Sequence, residues 1–118
     1  MAADYGLFDE KKLLEHYKFL VKRDYDQDLS NDDLKKYKSK RKSIMTNFEI
    51  PNTYMYFGTL CNILKVAKSL FEGHTNLEHI NFLLPSKIEE IEEKAFKDCR
   101  SLKDIEIPEN VKINFISI

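Results

Sequence analysis

The chain has 118 residues, 42% of them apolar and 33% charged, with only three glycines and three prolines, which excludes disordered and fibrous classes and fits one domain with its own core. Its 19 basic and 20 acidic residues leave a net charge of −1, so no global field draws it to nucleic acid and any electrostatic contact has to be local. No apolar run approaches the roughly 20 residues that span a bilayer, residues 1–6 lack the charged start and apolar centre of a signal peptide, and two cysteines in unrelated apolar settings, Cys61 and Cys99, fit a reduced, cytoplasmic protein.

Residues 9–23 have the spacing of an amphipathic helix, with Leu13, Leu14, Tyr17, Leu20 and Val21 on one face and Glu10, Lys11, Lys18 and Lys22 elsewhere. Asp9 or Asp4 is placed to cap it, and Leu7 and Phe8 to staple its first turn. The next loop puts Asp24, Asp26 and Asp28 at the first, third and fifth positions of a calcium loop. The sixth position is Leu29 where the turn needs glycine, and the twelfth is Lys35 where a bidentate glutamate must close the site. The loop is therefore expected to be a polar connection whose carboxylates favour the start of the next helix.

A second helix is predicted from Asp32 to about Phe48, with Ser30 as N-cap, Asp33 three residues on, and Leu34, Tyr37, Ile44, Met45 and Phe48 at helical spacing. Within it Lys35, Lys36, Lys38, Lys40, Arg41 and Lys42 place six positive charges in eight residues. Such a run can bind phosphates, dock on an acidic protein surface, or be a solvated helix face. Tyr54, Met55, Tyr56 and Phe57 come after Pro51 as an aromatic stretch. It is suited either to recognition or to packing between the helical part and the C-terminal half of the chain. Leu60, Ile63, Leu64, Ala67, Leu70 and Phe71 then predict a third helix of about three turns, stopped by Gly73.

Residues 84–111 fit neither period. Ile88, Ile91, Ala95, Phe96, Cys99, Leu102, Ile105 and Ile107 lie between Pro85 and Pro108. The order reads as a tight turn under a short strand that alternates inward Ile105 and Ile107 with outward Asp104 and Glu106 and ends at proline. Leu102-x-x-Ile105-x-Ile107-Pro108-x-x-Val111 and Ile88-x-x-Ile91-x-x-x-Ala95-Phe96-x-x-Cys99 resemble the BspA-like leucine-rich repeat. That resemblance implies a curved sheet used for protein contacts, with no catalytic residues in the motif.

Moving back 25 residues pairs these eight positions with Ile63, Val66, Leu70, Phe71, His74, Leu77, Ile80 and Phe82, seven of them apolar. A second unit is thus expected over about 60–85, with His74 where the resemblance has Cys and Leu70 where it has Ala. Phe48-Glu49-Ile50-Pro51 fits the strand end of a third, degenerate unit. At the other end Val111 opens a further turn, but Asn114 stands where Ile is expected and no further Ala-Phe occurs. The apolar C-terminal strand would leave an open edge that the chain, another molecule or a second copy must cover.

The expected fold is α+β: a single domain in which N-terminal helices (1–59) cap a short, truncated leucine-rich-repeat solenoid sheet (60–118), because two units alone are too few to be stable. No nucleophile with a base, paired carboxylates, phosphate loop or dinucleotide fingerprint is present, and no cofactor is implied. His74, His79, Cys61 and Cys99 lack the spacing of zinc ligands. Glu89, Glu90, Glu92 and Glu93 bracket Ile91 as a solvated acidic rim. The expectation is a non-enzymatic protein-binding module, its candidate contact residues being Lys35, Lys36, Lys38, Lys40, Arg41, Lys42, Tyr54, Tyr56, Glu89 and Glu90. The alternatives are an inhibitor of a bacterial defence nuclease of CRISPR type, and nucleic-acid binding by the basic helix; no membrane association is expected.

Overall fold

Side-chain caps set where each helix begins in the computed structural model, which describes residues 6–109 and 111–113. After strand β1 (Leu7–Phe8) the Asp9 carboxylate accepts from the backbone N–H of Lys12 at 3.0 Å and starts α1 (Glu10–Tyr25). Asp26 ends it in the left-handed conformation. The Ser30 hydroxyl accepts from Asp33 N–H at 3.2 Å and starts α2 (Asn31–Ile44). Leu13, Tyr17, Val21 and Leu34 are buried, as the helical spacing requires.

The second helix stops four residues earlier than predicted, and Ile44 is consequently half exposed. Phe48 and Ile50 instead alternate inward along β2 (Asn47–Ile50). The reason is tertiary: β2 pairs in parallel with β6 (His79–Phe82), and those inter-strand hydrogen bonds replace the helical ones. Leu7 and Phe8, expected to staple α1, likewise form strand β1 against β5 (Lys65–Val66).

The third helix predicted over 60–71 does not form. Leu60 lies in β4 (Thr59–Asn62), which makes an antiparallel hairpin with β3 (Thr53–Tyr56). Val66 goes to the core from β5, and residues 68–73 are turn. The 60, 63, 67, 70 spacing is equally served by two short strands and a turn, and the partners on either side decide between them.

The remaining strands, β7 (Glu90–Ile91), β8 (Asp104–Glu106) and β9 (Lys112–Ile113), complete two parallel sheets, in orders β1-β5-β7-β9 and β2-β6-β8. Lys65↔Glu90, Val66↔Ile91, His79↔Asp104 and Ile80↔Ile105 all pair across 25 residues, the spacing read from the sequence. Between β2 and β6 the offset is 32, as in Phe48↔Ile80, so the degenerate strand at 48–51 takes its place in the ladder. The surplus residues leave as the β3–β4 hairpin. The result is a mixed α+β fold of two helices and small sheets among the described residues. β9 begins the expected C-terminal strand and pairs with β7; residues 114–118, and with them Asn114, lie outside the described residues, as does Asp4.

The turns stack as the strands do. Phe71 N–H donates to Ala95 O and Gly73 N–H to Lys97 O, both at 2.8 Å. The rings of Phe71 and Phe96 lie 5.5 Å apart and nearly parallel, and Phe48 leans on Phe71 at 5.3 Å. Cys99 and His74 occupy equivalent slots. The Cys99 thiol donates to Phe71 O at 3.1 Å, and burial pushes its pKa up to about 11. His74 is buried with neither ring nitrogen hydrogen-bonded. Burial is the main cause that moves its pKa below the ordinary 6.5, helped by Lys42 and Lys38 and opposed by the backbone at Glu72 and Phe71.

Two outcomes are expected from this packing. Phe71→Ala, which removes the ring between Phe48 and Phe96, lowers the free energy of unfolding in urea by about 3–5 kcal/mol. His74 prefers the neutral form when folded, so its contribution to stability is complete above pH 6.5 and is lost as pH falls below that toward the folded pKa. Urea titrations across that range should therefore show His74→Cys gaining on wild type as pH drops, whereas a constant difference would remove His74 as the cause.

Candidate interaction surfaces

The basic run of α2 is divided by the helix that carries it. At 100° per residue, Lys36 and Lys40 leave on the outer face, Lys35 and Lys42 on one flank, and Lys38 and Arg41 turn inward. Lys38 pairs with Glu10 of α1, and Arg41 is half buried, its Nε inaccessible and without a hydrogen-bond partner. Lys42 lies over Gly73, where a Cβ would meet its Cε at 3.1 Å. Lys35, Lys36, Lys40 and Lys42 are exposed, but the six charges do not form one strip.

The acidic rim is also partly answered from within. Glu89 is exposed, whereas Glu90 sits in β7 with its carboxylate 3.6 Å from Lys65 Nζ. Lys68 N–H donates to Glu92 at 3.0 Å, and Lys68 Nζ lies 3.1 Å from Glu93. The preceding unit thus supplies the cations, and the rim reads as cross-unit pairing. Of the three aspartates expected in the loop after α1, Asp24 lies in the last turn of the helix and pairs with Arg23, and Asp26 and Asp28 pair with Lys22. No group of three or more His, Cys, Asp or Glu among the described residues is arranged to hold a metal, and both cysteines are free thiols.

The aromatic stretch forms the hairpin. Tyr54 is half buried with Lys12 Nζ 4.7 Å from its ring centroid, and Tyr56 stands edge-on to Phe57 at 4.6 Å. Phe57 and Gly58 make the two-residue turn with φ of 48° and 78°. Positive φ at both positions is the geometry that twists a tight hairpin correctly, and Asn-Gly usually supplies it. Here a phenylalanine, 90% exposed, accepts it.

Between this hairpin, α1 and β2 runs a groove of about 800 Å3. Lys12, His16, Phe19 and Arg23 form its α1 wall, Met55 and Leu60 its hairpin wall, and buried Tyr17 and Phe48 part of its floor. The Tyr17 hydroxyl donates to Met45 Sδ at 3.7 Å. Burial pushes Tyr17 up to about 12, against the pull of Arg41, which also lines the groove. Burial and Arg23 likewise lower the His16 pKa, with Glu49 opposing. The sequence carried a signal for this wall, a 12, 16, 19, 23 stripe at helical spacing. Nothing local placed the hairpin opposite it.

A second surface adjoins the groove. The buried Phe48, Ile50, Ile80 and Phe82 alternate with Asn47, Glu49, His79 and Asn81 on the outer face of the β2-β6-β8 sheet, where Asp104 and Glu106 continue the rows. Asn81 donates to Glu49 at 2.8 Å, and His79 Nδ1 lies 3.0 Å from Asp104. Asn47 and Glu49 belong to both surfaces. Asp104 and Glu106 were read from the sequence as outward; the rows they join appear only once the strands pair.

Residues 34–115 match a family model described as BspA type leucine rich repeat region (6 copies). No curated protein and no solved structure matches the chain. Among the described residues no helix is long and apolar enough to cross a membrane.

The division of the basic run has a measurable consequence. Lys36→Glu with Lys40→Glu leaves the thermal transition within about 0.5 kcal/mol of wild type, since both are exposed and outward. Lys38→Glu sets a carboxylate against Glu10 and costs about 1 kcal/mol.

Proposed function

We propose, from the premise that this chain belongs to the BspA type leucine-rich repeat family, that it is a non-enzymatic module that works by binding another protein. Its parallel strands and stacked turns are read as a short, truncated solenoid whose first layer is closed by β1, α1 and α2. The observation that carries the reading is the outer face of the β2-β6-β8 sheet. Six side chains leave it in two rows, Asn47, His79, Asp104 and Glu49, Asn81, Glu106. A rigid, regularly spaced array of this kind holds its groups ready for a partner and loses little entropy on contact.

Its chemistry selects the partner's. Glu49, Asp104 and Glu106 outweigh the single histidine, and Glu78 and Lys103 offset one another at 3.7 Å at the margin. A basic surface on the partner therefore fits, with electrostatics that speed encounter and fix register. The reading as an inhibitor of a bacterial defence nuclease is a narrower form of the same activity, occupation of a surface by a small protein without catalytic groups. Nucleic-acid binding through α2 is less favoured, because its cations leave the helix in different directions.

Affinity capture from the source cells, with and without nuclease and again at high salt, tests this. The expected result is one protein that survives nuclease treatment, is lost with Asp104→Lys and Glu106→Lys combined, and is retained with Lys36→Glu and Lys40→Glu. Recovery of RNA or DNA alone, abolished by nuclease, would sink the reading.

A further inference from the structure

The β3–β4 hairpin lies outside the ladder and takes up the residues by which the 32-residue offset exceeds the 25-residue one. It spends its residues on walling the groove. Met55 and Leu60 stand opposite each other in its register, 62% and 64% exposed, and Phe19 of α1, 56% exposed, lines the same groove. Large apolar side chains left open around a concavity mark an interaction site. Arg41 lines that groove too, with a buried Nε that lacks an acceptor. Nε itself is inaccessible, so it is the remainder of the half-buried guanidinium that faces the groove, and a planar guanidinium so placed is matched by a carboxylate.

We infer that the groove takes an apolar peptide segment of a partner protein bearing one acidic side chain, its apolar groups against Phe19, Met55 and Leu60 and its carboxylate on Arg41. The α1 wall from Lys12 to Arg23 is about 16 Å long at 1.5 Å per residue, which suits roughly five extended residues or three helical turns. The volume of about 800 Å3 lies within the range of well-formed ligand sites. Glu15 and Glu49 also line the groove and restrict the match to one acidic group rather than an acidic run. Because Asn47 and Glu49 join the groove to the sheet face, the inference deepens the protein-binding reading and rests on it.

Phage display of random 16-residue peptides on the full chain, and then fluorescence anisotropy of the enriched peptides, tests the groove directly. The expected peptides share two or more large apolar residues and an Asp or Glu. Leu60→Asp, at an exposed position that leaves the thermal transition unchanged, abolishes their binding. Arg41→Gln weakens it about tenfold, and changing the peptide's acid to its amide removes that sensitivity. If Arg41→Gln does not fold, the same cycle is read from the peptide amide and Leu60→Asp. No enrichment, enrichment of basic peptides, or undiminished binding to Leu60→Asp would overturn the inference. The two readings fail separately. Groove peptides that bind as expected while sheet-face variants keep their partner defeat only the sheet reading; partner loss in those variants without any enriched peptide defeats only the groove.

Discussion

The fold depends on a parallel ladder in which each unit of 25 residues lays its strands and its aromatic turn on the unit before. A single unit of this kind has one strand in each of two sheets and no way to satisfy either edge. Stacking solves both problems together. The backbone at Val66 and Ile80 finds partners at Ile91 and Ile105, and Phe71 meets Phe96 ring to ring. The slots below the rings then differ by one residue: Cys99 satisfies its thiol on Phe71 O, while His74 brings two nitrogens that find nothing. A titratable group thereby stands in the core, its pKa lowered mainly by burial.

The front of the ladder is closed by different means. β1 supplies one strand to β5 and β2 one to β6, so the first layer has backbone partners although residues 7–50 contain no complete unit. The two helices cover the apolar groups this leaves, with Leu13, Tyr17 and Leu34 joining Phe8, Phe48 and Phe71 in a single core. Tyr17 holds the join, its ring edge-on to both Tyr37 and Phe48 and its hydroxyl on Met45. The helical part is thereby inseparable from the ladder.

The surfaces open to a partner are what the stacking leaves outside. The inward half of each strand is consumed by the core, so the outward half becomes a polar array with repeat spacing. The extra residues between β2 and β6 cannot enter the ladder without breaking its register, because a slip of one residue would turn every buried side chain outward. They are extruded as a hairpin instead. An interruption of the repeat has become the wall of a groove, and exposed Phe19, Met55, Leu60 and Leu83 line it.

Much of this was written locally. The caps at Asp9 and Ser30, the buried stripe of α1 and the 25-residue correspondence of Ile63 through Phe82 with Ile88 through Ile107 come from side-chain chemistry and spacing, which act within a few residues or repeat along the chain. The conformation of 45–50 and 60–71 did not, since Phe48, Leu60, Ile63 and Leu70 satisfy helix and strand spacings alike and their choice belongs to the strands that pair with them. The same holds for the surfaces. Composition announced six cations and an aromatic cluster. Only the tertiary structure turned the cations to different sides and brought Met55, Leu60, Phe19 and Arg41 around one groove, because contacts between residues about 40 apart are set by packing and not by local preference.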